Sequence, residues 1–382
     1  MKQTKERDSN FELLRIVAMM LVLLVHANYF SLGDVTRDEI ISTPWTAFVR
    51  MFCEHLCIVS VNLFVLISGW FGIRPTAKKV ASLLFQVLFI GGVVVVACKC
   101  ADVTIRFAEI RRLLFFGSNY WFVPSYLILF AISPMLNMFC EHASKRDFAT
   151  LLISYFVLEA LFGWITDDYG HYIGGYSALS FIGLYLLAQY IRRYGVERFK
   201  SWKWWHFLLI YLLLVTLNSV LAYILLYVKG RAYWAIMYSS MFVIASSVSL
   251  LLLFFKLHFK SNFINWIASS AFAIYLFHMA PGAITLYGKF FKGAYEAMSG
   301  ILFIPFAIIA AILIGLCAVL LDKVRIVAWN KLEVANKLIN NNLRQRWGGG
   351  KIDIVEHLLD YIYLRKSIFL TPCSRLTRLS VG

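Results

Sequence analysis

Long apolar runs separated by short polar segments dominate the chain. The runs are continuous and do not alternate with polar residues, which predicts helices rather than strands. About 20 apolar residues are enough to cross the hydrocarbon core of a bilayer. We therefore predict about ten transmembrane helices with approximate bounds. They are 11–30, 47–71, 80–98, 121–139, 148–165, 176–190, 205–227, 233–255, 266–287 and 301–321.

Composition agrees with this pattern. The chain is 60% hydrophobic and 15% charged, with a mean hydropathy of +0.72, which excludes a soluble globule with an ordinary polar surface. Segment 104–116 is amphipathic, so we expect it to lie at the membrane interface. The predicted fold class is an all-α, polytopic transmembrane helix bundle.

Basic residues are distributed unevenly between the two sides of this bundle. The N-terminal segment and every second connection share one side and, with the C-terminal segment, hold 26 of the 37 basic residues. Positive charge favours the cytoplasmic side, so both termini are predicted to be cytoplasmic. We expect a transmembrane domain at 1–321 and a basic cytoplasmic tail at 322–382. The net charge of +16 needs no nucleic-acid partner, since the tail can contact membrane lipids.

Two ionisable side chains lie inside the first apolar run. Arg15 and His26 are eleven residues apart, which at about 100° per residue places them on one helix face, about 16 Å apart along the axis. Ionisable groups within a span are costly and indicate a functional site. The alternative is an arginine that reaches the interface and a histidine bonded to a neighbouring hydroxyl. A cation at the helix mouth suits phosphate, and a neutral imidazole can accept a proton.

Four segments resemble a known family. NFELLRIVAMMLVLLVHANYF, VNLFVLISGWF, YWFVPSYLILFAISPMLN and AFAIYLFHMA occur in the order seen in the acyltransferase-3 membrane proteins, which include bacterial O-acetyltransferases of surface polysaccharides. The resemblance covers roughly residues 10–321.

This resemblance implies a multi-pass enzyme of the bacterial inner (plasma) membrane. It would move an acyl group, usually acetyl, from cytoplasmic acyl-CoA (acetyl-CoA) to a hydroxyl of an envelope saccharide or lipid-linked glycan. The family's functional arginine and histidine fall on Arg15 and His26, with His26 as general base. Direct transfer and a transient acyl-enzyme both remain open.

Three further polar residues are candidates for the same centre. Asn28 could orient an imidazole or an acceptor hydroxyl, or cap the helix end. His278 could complete a polar centre with His26, or be satisfied by Tyr275. Glu159 is an intramembrane carboxylate with His26, His278 or Arg15 as possible partners, either in the site or in a structural ion pair.

Candidate binding residues flank the bundle on both sides. Arg74, Lys78 and Lys79 are placed to bind the phosphates of coenzyme A, although positive-inside charge explains them equally well. Asp167, Asp168, Trp164 and Trp121 suit acceptor sugars, as carboxylates beside aromatic faces do, but interfacial aromatic belts look the same in sequence.

No metal is expected, because Cys53 and Cys57 lack a second pair or a histidine cluster. Two other functions would also use a polytopic bundle. A transporter or flippase for a lipid-linked glycan should show an internal repeat or matching broken helices. A glycan polymerase should have a large outer loop. The sequence shows neither feature.

Overall fold

The structure is a computed structural model, and it describes residues 8–114, 120–165, 170–298 and 300–347. Within these ranges the secondary structure is helical and contains no strand. The predicted all-α class is therefore confirmed. The α-helices are α1 (Ser9–Val25), α2 (Arg37–Ser42), α3 (Pro44–Cys57), α4 (Ser60–Phe71), α5 (Ala77–Cys100), α6 (Phe107–Leu114), α7 (Phe122–His142), α8 (Lys145–Ala160), α9 (Ala178–Tyr190), α10 (Trp204–Lys229), α11 (Met241–Phe255), α12 (Asn262–Ala268), α13 (Ala271–His278), α14 (Ala283–Ala297) and α15 (Gly300–Trp347).

Six helical stretches in the described ranges are long and apolar enough to cross a membrane. They are Ser9–Phe30, Pro44–Phe71, Ala77–Cys100, Phe122–His142, Trp204–Lys229 and Gly300–Ala335. A bent pair, Asn262–His278 with Ala283–Ala297, makes a seventh. Shorter helices α8, α9 and α11 occupy the other three predicted spans, so the number ten stays a prediction.

The ninth predicted span, 266–287, is wrong as a single helix. The chain bends by 84° between α13 and α14. Pro281 supplies no backbone N–H, and Gly282 has a φ of +85°, which a side chain rarely adopts. A Cβ on Gly282 would lie 3.1 Å from Cys98 Cβ, so this turn requires glycine.

By internal contacts the chain divides into two units. The first comprises 1–75 and 86–325, and holds α1 to α4, most of α5, α6 to α14 and the first part of α15. The second comprises Thr76–Phe85 and Ile326–Gly382. Helix α15 continues through Leu321 to Trp347, so no helix end marks the predicted 321/322 boundary. Tail residues 348–382 lie outside the described part of the chain.

Helix α1 packs on five other helices of the first unit: α3, α4, α11, α12 and α13. Its first turn is fixed by polar contacts, since Asn10 donates to the Phe254 carbonyl at 2.9 Å and Ser9 donates to Asn265 at 3.0 Å. Beyond Val25 the helix widens into a π-helical turn, His26–Phe30. Such turns are frequently found at functional sites.

The SGWF segment of α4 packs closely on α9. A Cβ on Gly69 would lie 2.6 Å from the Tyr185 carbonyl oxygen, so only glycine permits this approach. Gln189 of α9 also donates to the Gly69 carbonyl at 2.7 Å. Small residues in membrane helices commonly allow such contacts.

Candidate active site

A pair of histidines forms the centre of the site. His26 Nδ1 lies 2.8 Å from His278 Nε2, and the two ring centroids are 5.0 Å apart. His26 opens the π-helical turn after α1, and His278 is the last residue of α13. The possible polar centre of His26 and His278 is therefore present in the structure.

The hydrogen bonds of His278 assign the tautomers of both rings. His278 Nδ1 lies 2.7 Å from the Ile274 carbonyl oxygen, which can only accept, so Nδ1 carries a hydrogen. With both rings neutral, His278 Nε2 is then an acceptor and His26 Nδ1 donates to it. His26 Nε2 is left with its lone pair, and no hydrogen bond occupies that atom within the described residues. This nitrogen can accept a proton.

The two histidines differ in exposure. His278 is 2% exposed, whereas His26 is half-buried. The surrounding backbone is held by tyrosines: Tyr287 donates to the Leu23 carbonyl at 2.6 Å, and Tyr120 donates to the Leu276 carbonyl at 2.9 Å. Tyr275 only makes an edge contact with His278, at 6.1 Å between ring centroids. His278 therefore serves as the buried anchor and His26 as the accessible ring.

Arg15 lies toward the other end of α1 and is ion-paired within its own helix. Its Nη1 is 2.6 Å from Glu12 Oε1, with side-chain exposures of 32% for Arg15 and 7% for Glu12. The guanidinium also lies 5.9 Å from the centroid of Phe71. The sequence interpretation overlooked Glu12. A phosphate at Arg15 would share the guanidinium with this carboxylate.

Among the described residues Asn28 makes no hydrogen bond to either imidazole and does not cap the helix, while its role in orienting an acceptor hydroxyl stays a prediction. Its Nδ2 donates to Glu54 Oε2 at 2.9 Å and to the Arg50 carbonyl at 3.1 Å, and its Oδ1 accepts from Arg50 Nε at 3.3 Å. The π-helical turn directs Asn28 toward α3. Arg50 and Glu54 were missed, although both are charges within a predicted span, which is the signal that singled out Arg15.

Arg50 also fixes the loop that follows the first span. It pairs with Glu39 of α2 at 2.5 Å and donates to the Gly33 carbonyl at 2.8 Å. Helix α2 begins with a capping box between Thr36 and Glu39. Burial raises the pKa of the neighbouring Asp34 carboxyl above its ordinary value, against the lowering effects of Tyr29 and Arg50.

Glu159 does not reach any of its predicted partners. It is 2% exposed and accepts a hydrogen bond from Ser180 Oγ at 2.7 Å. This contact joins α8 to α9. The carboxyl is therefore part of a helix–helix contact and not of the histidine centre, which corrects the predicted pairing with His26, His278 or Arg15.

The three basic residues predicted to bind coenzyme A fall in different units. Arg74 is exposed and belongs to the first unit. Lys78 and Lys79 begin the second unit, where Lys78 Nζ is 2.6 Å from Glu333 Oε1. Because Lys78 is already ion-paired, a phosphate would have to compete with Glu333 for it.

Of the predicted sugar-binding residues, the structure describes the surroundings of Trp121. Its ring lies 4.5 Å from Tyr176 and 6.0 Å from Tyr238, between centroids. Asp167 and Asp168 lie outside the described residues, as does the side chain of Trp164. Trp121 thus belongs to an aromatic cluster of the first unit.

Fold and site together define a multi-pass helical membrane protein with a histidine pair built from its first span and a broken helix. The acyltransferase-3 family model, described as an acyltransferase domain, matches residues 8–320. The chain therefore belongs to the acyltransferase-3 family. Searches of curated proteins and of solved structures returned no match. Both histidines and Arg15 lie inside the matched range.

Proposed function

We propose that this chain is a membrane O-acyltransferase that moves an acetyl group from acetyl-CoA to a hydroxyl of a bacterial cell-envelope saccharide. Family membership supports acyl transfer. The observation that carries the proposed reaction is the hydrogen bond between His26 and His278, because with both rings neutral it leaves His26 Nε2 to accept a proton. The His26 Nδ1–H is held by His278, which is held in turn by the Ile274 carbonyl.

In the proposed reaction, the acceptor oxygen attacks the thioester carbonyl carbon while His26 Nε2 takes the hydroxyl proton. The carbon–sulfur bond then breaks, and the proton passes from His26 to the departing sulfur. His278 positions His26 by accepting its Nδ1–H and stabilises the imidazolium during the step. A hydrogen-bonded partner that fixes the tautomer of a catalytic histidine has the same role in hydrolase triads.

The donor is proposed to enter from the cytoplasmic side, past Arg15. Arg15 and His26 are eleven positions apart on the helix, which is about 16 Å at 1.5 Å per residue. A long cofactor with phosphates at Arg15 and its thioester near His26 fits this spacing. Arg74, which belongs to the same unit as Arg15, is proposed as a further contact for the anionic donor.

A transporter has less support than an acyltransferase. It should show broken helices at matching positions in two halves of the chain. Among the described residues one bent pair occurs, α12–α13 with α14, without a counterpart. A transporter would alter glycan export without changing its acetyl content.

The decisive experiment compares ester-linked acetate on envelope glycans from cells that express the wild type or His26→Ala at matched membrane levels. Loss of acetate with normal insertion supports acyl transfer through His26. Unchanged acetate in the variant would overturn the general-base role. No acetate added by the wild type would favour the transporter.

Orientation has its own test. With cytoplasmic termini, a cysteine at Arg198→Cys should resist an impermeant maleimide in intact cells and react after the membrane is opened. Labelling in intact cells would reverse the orientation and with it the proposed donor entrance.

A further inference from the structure

A cavity of about 350 Å³ lies beside the turn His26–Phe30. It is called the polar cavity below because its wall contains several charged and polar side chains. Its wall includes Asn28 from that turn, Arg50, Glu54 and His55 from α3, and Asp34 from the following loop. Helix α10 supplies apolar wall residues, among them Ala222 and Leu226. Arg50 closes one side by bonding Gly33 and Glu39.

Two buried acceptor atoms belong to this wall and have no hydrogen-bond partner among the described residues. They are Glu54 Oε1 and His55 Nε2, on side chains that are 5% and 2% exposed. Ser219 Oγ donates to the Val215 carbonyl, so His55 Nδ1 must donate to Ser219, and Nε2 is left as an acceptor. Buried polar atoms normally have partners, and these two require a donor.

An apolar cavity of about 520 Å³ adjoins the polar one. Asn28 and Arg50 line both cavities, and Leu24 and Ala27 place the apolar one along the same stretch of helix as His26. Its other walls come from Val49 and neighbouring residues of α3 and from α15. Trp45 and Ile301 at its rim are 67% and 66% exposed. In a bilayer such exposed apolar side chains face lipid tails.

We infer that the two cavities form one site for an amphiphilic acceptor, with a hydroxyl-bearing saccharide in the polar cavity and its hydrocarbon chain in the apolar cavity. Saccharide hydroxyls supply the donors that Glu54 Oε1 and His55 Nε2 lack. The inference rests on the proposed function, which it narrows to a lipid-carried saccharide. The cavity walls include Ala27 and Asn28, the two residues that follow His26 in the chain.

The test measures binding without any acyl donor. Full-length protein in phosphatidylethanolamine–phosphatidylglycerol nanodiscs is heated with decyl maltoside, maltose or decyl phosphocholine, and the unfolding midpoint is recorded. A ligand of the folded state raises the midpoint with concentration. We expect a saturable increase with decyl maltoside and none with maltose at the same concentration. An equal increase of the midpoint with maltose would show that the hydrocarbon chain has no role in binding.

Val49→Trp fills the apolar cavity, and Val96→Trp makes the same change on α5, where Val96 is 63% exposed. Val49→Trp should weaken decyl maltoside binding at least tenfold, whereas Val96→Trp should bind as the wild type does. Equal binding by the two variants would show that the decyl chain of the ligand lies in the bilayer and not in the cavity.

Glu54→Gln tests the polar half. Asn28 donates to Oε2, so the new amide must turn its oxygen toward Asn28 and its NH₂ toward the unpartnered position. Decyl maltoside binding should fall several-fold, while decyl phosphocholine, which has no hydroxyl, should be unaffected. Equal losses for both ligands would contradict saccharide recognition by Glu54.

Failure of this inference can be told apart from failure of the proposed function. His26 lines neither cavity, so His26→Ala should bind decyl maltoside normally while losing acetyl transfer. If His26→Ala binds decyl maltoside normally and envelope acetate is unchanged, His26 is not the general base, but the acceptor site is supported. If the wild type transfers acetyl groups but its ligand binding does not depend on the hydrocarbon chain, the acyltransferase function is supported and the amphiphilic acceptor is rejected.

Discussion

The two ends of helix α1 hold their ionisable side chains in different ways. Arg15 pairs with Glu12, three residues away on the same helix, and stays 32% exposed. His26 pairs with His278, which lies 252 positions further along the chain and is 2% exposed. A local, half-exposed ion pair is screened by solvent and contributes little to stability. A buried hydrogen bond between distant parts of the chain depends on the whole fold. We therefore expect much larger effects at the histidine end.

After loss of His26 itself, removal of the His278 acceptor should have the largest effect on acetyl transfer. His278→Leu leaves the His26 Nδ1–H unbonded. We expect a loss of about 10–100-fold, the range for removing the hydrogen-bond partner of a metal-bound histidine. The fall should appear in kcat for acetyl transfer, with KM for acetyl-CoA nearly unchanged. Membrane levels would be matched by quantitative blotting.

His278→Gln is the matched control, because its Oε1 can accept the same hydrogen bond in place of Nε2. We expect it to recover several-fold of the activity lost in His278→Leu. Equal activity of the two variants would show that His278 only fills space.

At the other end, Arg15→Gln should raise the KM for acetyl-CoA about tenfold, which corresponds to roughly 1.4 kcal/mol. kcat should change less than twofold, since Arg15 does not contact the histidines. The increase should shrink at high salt because exposed charges are screened. A fall in kcat with unchanged KM would place Arg15 in the chemistry and remove the contrast between the two ends.

Glu12→Gln should act in the opposite direction to Arg15→Gln and more weakly. Removing the carboxylate frees the guanidinium for phosphate, so KM for acetyl-CoA should fall a few-fold. Isothermal titration with coenzyme A would measure the same change without turnover. Weaker binding would mean that Glu12 is needed to orient Arg15.

Glu159→Gln should have the smallest effect, less than twofold on acetyl transfer. The amide oxygen can still accept from Ser180, which preserves the contact between α8 and α9. A large loss in kcat at a normal protein level would show that Glu159 takes part in the reaction.

The sequence alone predicted the helical class, which the structure confirms, and it singled out His26, whose role as a general base stays a prediction. It also placed His278 as a possible partner, since both are ionisable groups in predicted spans. It missed the break after His278, although the Pro281–Gly282 dipeptide is a turn signal. Hydropathy averages over such a dipeptide when apolar residues continue on both sides.

Other features of the site depend on contacts that periodicity cannot supply. Asn28 reaches α3 and not an imidazole because the chain widens into a π-helical turn, and no sequence pattern marked that turn. Glu159 finds Ser180 because α8 packs on α9. Such pairings follow from the order of helices in the bundle.

The π-helical turn at His26–Phe30 has a consequence for comparing this chain with other members of its family. Deleting one residue there would leave an apolar span of nearly the same length, so its membrane insertion would hardly change. The same deletion would close the turn into α-helix and change the directions of the side chains inside it, so Asn28 would no longer be directed toward Arg50 and Glu54. Homologues should therefore be aligned on the histidine and the turn after it, because matching hydropathy can superimpose spans whose pockets are out of register.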